Sequence, residues 1–282
     1  MSNGNSIVNF GDLSKPVDTL IHKISDAIGV LYEPKKIINI AKAESKAMEI
    51  KAITELRIQE LQKRALTRFI HEETKKQENI EKIIEKAIPS ISENAETEKV
   101  EQDWLFSFFD KSKLISDNEM QKLWSNILAG ESNSPGKYSK KTLEILSCLD
   151  KKDAILFTKL CSFGFQLGNI VIVIFDVMEN IYNDYGINFN SLTHLENIGL
   201  LNYDNLTGFV RTKLPQKIQM YYYGKSFFIE FPNEKNNTLN IGKILLSNSG
   251  QELAEICGSK KNDSIFEYTT NKWREMNLVV NI

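Results

Sequence analysis

DKKDAILFTKLCSFGFQLGNIVIVIFDVM, residues 150–178, changes its hydrophobic period halfway along. Ala154, Phe157, Leu160 and Cys161 recur at helical spacing behind Asp150 and Asp153, two acids placed to cap a helix N-terminus. After Phe163 the pattern becomes a run of β-branched and apolar residues, Ile170 to Phe175. The spacing therefore predicts helices before this stretch and a mixed α+β region after it.

On the C-terminal side, Leu192, Leu195, Ile198, Leu200 and Leu201 predict a short helix that ends at Gly-Leu-Leu, residues 199–201. Two strands follow, Phe209 to Leu214 and Met220 to Phe231, read as a hairpin, and Lys243 to Leu246 then leads into a helix through Ser249, Gly250, Leu253 and Ala254. A helix, a hairpin, a strand and a Ser/Gly turn into another helix predict a winged-helix-like module over residues 166–282. Its groove-facing strip, Asn188 to Asn205, carries no Lys or Arg to meet phosphates, so nucleic acid is the less favoured partner.

On the N-terminal side, Ser139 to Leu149 predicts another short helix. Ser116 with Glu119 reads as a capping box for Met120, Leu123, Trp124, Ile127 and Leu128, with Gly130 closing that helix. Val100, Trp104, Leu105, Phe108 and Phe109 form an aromatic stripe. Without interleaved Lys or Arg it reads as a core anchor rather than a base-stacking platform. Ile80, Ile83, Ile84, Ala87 and Ile88 form an apolar face that stops at Pro89, and Ser90 to Lys99 reads as a loop. From Lys35 to about Thr74, Ile40, Ala43, Ala47, Ile50, Ile58, Leu61, Ala65 and Phe69 keep one stripe, a helix of about 50–60 Å at 1.5 Å per residue. The polar run His71 to Asn79 then interrupts it.

Residues 12–32 predict a separate amphipathic helix, with Ser14 as its cap, Pro16 in its first turn, and Val17, Leu20, Ile21, Ile24, Ile28 and Leu31 on one face. That face docks either on its own domain or on lipid or a partner. Residues 35–68 hold nine Lys/Arg against four Glu, a solvated face or an attraction to an anionic partner. The interaction candidates are thus Leu20, Ile24, Ile28 and Leu31 for apolar docking and Lys35, Lys36, Lys42 and Lys46 for electrostatic attraction. The expected architecture is mainly α with a smaller α+β part, organised as an N-terminal helix (1–34), a long-helix or bundle region (35–165) and the winged-helix-like region (166–282).

The 282 residues are 41% hydrophobic and 26% charged, an ordinary globular balance, and the net charge of -2 supplies no global field for nucleic acid. No GxxxxGK[ST], GxGxxG, GxSxG or HExxH is present, so phosphate cradles, nucleophile elbows and zinc-protease helices lack a sequence basis. The expectation is a protein that is no enzyme, with no catalytic residue, cofactor or metal. Cys148, Cys161 and Cys257 read as small core residues of a cytoplasmic protein. His22, His71 and His194 read as ordinary helix residues without a nearby acid. The longest apolar run, Ile170 to Phe175, falls far short of the roughly 20 residues of a bilayer span. Membrane contact is therefore expected to be peripheral, at the inner membrane.

Two stretches carry a resemblance. GDLSKPVDTLIHKISDAIG at 11–29, with YEP at 32–34 and AKAE at 41–44, resembles the opening of an uncharacterised bacterial family carried as a domain of unknown function. MQKLWSNILAGE at 120–131 and PGKYSKKTLEILSCLDKKDAILFTKLC at 135–161 resemble that family's centre and, more distantly, Abi-alpha-like proteins, named for abortive phage infection. The resemblance runs over about 10–165 and weakens towards LSNSGQELAEI at 246–256. It implies a role in prophage or plasmid defence; the function expected is phage defence of the abortive-infection type, with self-association and a phage protein as the expected partners. The alternatives are a DNA-binding regulator and a protein-binding adaptor.

Overall fold

The computed structural model describes residues 14–29 and 60–282. The chain folds as two compact units that divide after Leu143.

In the first unit, α1 (Lys15–Ile28) ends at Gly29, whose φ of 71° provides the left-handed cap, and Pro16 lies in its first turn. The helix α2 (Glu60–Ala87) runs unbroken through His71 to Asn79. That corrects the expected interruption, because Glu, Lys and Gln are good helix formers and a polar run merely turns the helix to solvent. Its apolar end, Ile80, Ile83, Ile84 and Ala87, is buried, and Pro89 then forces a 3-10 turn, Ile88–Ser90. The expected loop 90–99 contains a second such turn, Thr97–Lys99.

Helix α3 (Gln102–Ser112) carries the aromatic stripe. Trp104 stacks on Phe108 at 5.3 Å and Trp124 meets Phe108 edge-on at 5.2 Å, so the stripe is a core anchor as expected. Helix α4 (Asn118–Asn133) is capped by Asp117, whose carboxylate accepts from the amides of Glu119 and Met120, so the cap is one residue later than the sequence suggested. Nor does Gly130 close α4, which continues to Asn133. Gly130 is there because the Tyr138 ring lies where its Cβ would be, 2.7 Å away. Gln121 on α4 accepts from Lys86 at 2.5 Å and donates to the Ile115 carbonyl at 2.9 Å, tying α4 to α2. The division between units falls inside α5 (Lys140–Ser147).

In the second unit, α6 (Lys151–Cys161) starts at the expected Asp150–Asp153 signal, which forms a capping box whose Asp150 amide donates to Asp153 at 3.1 Å. A strand the sequence did not suggest, β1 (Gly164–Leu167), turns at Gly168 into β2 (Asn169–Ile172). After a single turn, α7 (Asn180–Asn183), comes α8 (Phe189–Ile198), ending as expected at Gly199 with φ 95°. The strands are β3 (Leu201–Tyr203), β4 (Phe209–Leu214), β5 (Lys217–Tyr222), β6 (Lys225–Glu230), β7 (Asn237–Gly242) and β8 (Ile244–Leu246). Helices α9 (Asn248–Ala254) and α10 (Asp263–Glu275) and strand β9 (Val279–Asn281) complete the unit.

The five-stranded sheet has the order β2-β1-β5-β6-β9, antiparallel throughout, and β3–β8 and β4–β7 form two separate ribbons. The expected strand 220–231 is thus two strands, split at Tyr223 and Gly224, which both adopt positive φ as a tight hairpin turn requires. The expected hairpin of Phe209–Leu214 with that segment is replaced by β4–β7 pairing. β5 alternates strictly, burying Ile218, Met220 and Tyr222. Ser247 caps α9 by accepting from the Gly250 amide at 3.0 Å. A Cβ on Gly250 would sit 1.9 Å from the Leu200 carbonyl oxygen.

Because backbone cannot move away as a flexible side chain can, Gly250→Ala is expected to destabilise the chain by about 2–4 kcal/mol. Urea denaturation monitored by tryptophan fluorescence measures it; an unchanged midpoint would show that the approach of Leu200 to Gly250 is not needed.

Candidate functional site

Three arrangements bring chemically useful side chains together. The first is the seat of α1. Leu20 and Ile24 are 1% and 0% exposed, and with Val17 and Ile21 they form the buried face of α1, whose neighbours are α3 and the Thr97–Lys99 turn. The polar side is fastened too. Lys23 Nζ donates to the carbonyls of Glu98 and Val100, each at 2.5 Å, and Thr97 Oγ1 donates to the Pro16 carbonyl at 3.0 Å. A lysine ammonium has three donors and the turn presents two free carbonyls, so the pairing fixes the helix lengthwise.

Ile28, the last residue of α1, is half-buried beside a pocket of about 300 Å³ that Ile80, Phe106 and Phe109 line with apolar surface and Lys76 and Lys113 with charge. Those lysines pair with Glu73 and Asp110 one turn away. The remaining candidates, Leu31, Lys35, Lys36, Lys42 and Lys46, lie outside the described residues. Leu20 and Ile24 are therefore committed to their own unit, Ile28 only in part. Lys23, which the sequence placed on the polar face, is the contact that sequence reasoning missed.

The second arrangement joins Asp153 and His194. Asp153 Oδ1 lies 2.8 Å from His194 Nε2 while its Oδ2 accepts from the Asp150 amide, so the acid that the sequence lacked beside His194 comes from α6. His22 also has an acid one turn away, Asp18 at 3.8 Å, with both side chains largely exposed.

The third concerns the cysteines. Only Cys161 is buried; Cys148 is exposed and Cys257 intermediate, which corrects the reading of all three as core residues. Cys161 ends α6, Cys257 follows α9, and their thiols interact. A pocket of about 230 Å³ opens beside them, lined by Cys161, Tyr223, Gly258 and Ser259. Burial pushes the Tyr223 phenol up to about 12, so it stays protonated.

Among the described residues no three His, Cys, Asp or Glu side chains are grouped to hold a metal ion, and no helix is long and apolar enough to cross a membrane.

The family model described as Protein of unknown function (DUF2806) matches residues 63–270. The chain belongs to this family. No curated protein and no solved structure matches it. The DUF2806 match takes in strands β1 to β8 and α9, where the sequence resemblance is weakest, and leaves out the 11–44 stretch and β9. Within a DUF2806 chain, then, the cysteine pair and the Asp153–His194 pair lie in the shared span, and α1 precedes it.

Truncating Ile24 to Ala removes a fully buried side chain from a helix with no other deep anchor than Val17, Leu20 and Ile21. The expected loss is about 2–4 kcal/mol. Hydrogen exchange would read it as lost protection confined to residues 15–28 and their seat; unchanged protection there would mean that the helix is held by other contacts.

Proposed function

We propose that this chain is a non-enzymatic phage-defence protein of the abortive-infection type, acting by partner binding and rearrangement of self-associated chains. The observation that carries the reading is the seat of α1. A helix of 14 residues is marginal in water, so its fold depends on the four apolar residues and the Lys23 clasp that hold it. A partner that competes for that seat frees an apolar face able to bind protein or an anionic membrane surface. The resemblance of 120–131 and 135–161 to Abi-alpha-like proteins supports the defence role, and the pocket beside Ile28 offers a place where a phage protein can begin the exchange.

A second reading, a DNA-binding regulator, is favoured by the winged-helix-like order of α8, the β3–β8 ladder and α9. Between β3 and β8, residues 209–243 carry six Lys/Arg, Arg211, Lys213, Lys217, Lys225, Lys235 and Lys243, against Glu230 and Glu234. The strip Asn188 to Asn205, which has acids but no Lys or Arg, weighs against it.

Cells expressing the chain from a weak promoter are expected to plate some phages of a diverse panel with at least an order of magnitude lower efficiency than vector controls. Lys23→Ala, which removes the clasp, is expected to slow growth without phage. No drop across the panel, together with a salt-sensitive gel shift of duplex DNA, would move the conclusion to the regulator.

A further inference from the structure

Contacts that do not involve their sulfurs hold Cys161 and Cys257 side by side. Thr158, one turn before Cys161, donates from Oγ1 to the Cys257 carbonyl at 3.1 Å. The Tyr223 hydroxyl lies 3.3 Å from the Cys161 carbonyl oxygen and 2.6 Å from the Ser259 hydroxyl, so one phenol ties the chain just beyond both cysteines. The pocket of about 230 Å³ is lined by Cys161 and by Gly258 and Ser259, the two residues that follow Cys257. Neither cysteine is in a disulfide.

The two thiols are not equivalent. A hydrogen bond from Cys161, reinforced by Ser259 and Thr158, holds the Cys257 thiol down at about 7 despite its burial. Burial pushes Cys161 well up, as does its pairing with Cys257. Cys161 also stands at the carbonyl end of α6, where the helix dipole opposes an anion. Near neutral pH the more accessible Cys257 is in large part thiolate, and the buried Cys161 is a neutral thiol.

We propose that Cys257 and Cys161 are a reversible redox site, in which Cys257 reacts with a hydroperoxide and Cys161 closes the disulfide. With hydrogen peroxide, the Cys257 thiolate attacks one oxygen; the S–O bond forms, the O–O bond breaks, and hydroxide leaves and takes up a proton to become water. Cys161 then loses its proton and attacks the Cys257 sulfenic sulfur; the S–S bond forms, the S–O bond breaks, and a second water leaves. Two thiols are oxidised by two electrons and one peroxide is reduced to two waters. A dithiol reverses the step by exchange. The disulfide ties the end of α6 to the segment between α9 and α10, closing a long loop of the second unit.

The test uses the full chain carrying Cys148→Ser, which removes the exposed third thiol. One equivalent of hydrogen peroxide near neutral pH is expected to give a single Cys161–Cys257 cross-linked peptide by mass spectrometry, reversed by dithiothreitol, with the melting temperature raised by about 5 °C or more. Cys161→Ala is expected to stop the reaction at a sulfenic acid on Cys257 that dimedone traps, and Cys257→Ser to abolish both products. The rate of Cys257 alkylation is expected to titrate at about 7. The proposal is overturned if both thiols alkylate fully after peroxide, if Cys257 passes to sulfinic acid with Cys161 still free, or if alkylation titrates near the ordinary thiol value of about 8.5.

Discussion

Phe165 sits where the aromatic side chains of β1, β5, β6 and α10 converge. Its ring is 4.7 Å from Tyr222, 6.0 Å from Phe227, 6.3 Å from Phe266 and 5.3 Å from Trp273. Each contact adds about 0.5–1.5 kcal/mol beyond the burial of the rings themselves, and because the rings come from distant parts of the chain, the cluster fixes which strands are neighbours. It also reaches the cysteine pocket. The Tyr222 hydroxyl, at the edge of the cluster, lies 2.9 Å from the Ser162 carbonyl oxygen and 3.1 Å from that of Asn262. Ser162 follows Cys161 and Asn262 caps α10, so the packing that selects the sheet order also sets the end of α6 against the segment after α9.

The first unit is organised on the same logic with a different margin. Phe108, between Trp104, Phe109 and Trp124, anchors α3 and α4 in a core of fully buried rings and branched side chains. The α4 C-terminus is held by Glu131, which accepts from the amides of Gly136 and Tyr138 at 2.6 and 2.9 Å. Burial nevertheless leaves Glu131 easier to protonate than an ordinary glutamate. Among the described residues α1 buries one apolar face, Val17, Leu20, Ile21 and Ile24, which includes no aromatic side chain of its own. Its docking rests on four apolar side chains and the Lys23 pairing, without the ring contacts that join α3 to α4.

What was legible in the sequence follows from how far apart the interacting residues are. The Asp150–Asp153 start of α6 and the Gly199 end of α8 are local, and each was readable from spacing. The failures have local causes as well: Asp117 outcompeted Ser116 as a cap, Gly130 answered to a tyrosine ring rather than a helix end, and a polar run of helix formers continued α2. β1 was missed because Gly164 and Gly168 frame only four residues, too few to show a period. The ribbon β4–β7 was missed because strand partners are chosen by long-range packing and not by adjacency. Of the candidate site, the apolar face of α1 was legible and the Lys23 clasp was not, since nothing in a sequence marks which lysine meets free carbonyls across 75 residues.

Asp153 and Cys161 illustrate how one short helix comes to carry chemistry that no spacing reveals. Both belong to α6, and both have partners that arrive from far along the chain, His194 at one end and Cys257 at the other. A thiol pair that closes reversibly needs its two backbones held near disulfide spacing, which favours the unit with the aromatic cluster. The two features belong to different units, the seat of α1 to the first and the paired residues of α6 to the second.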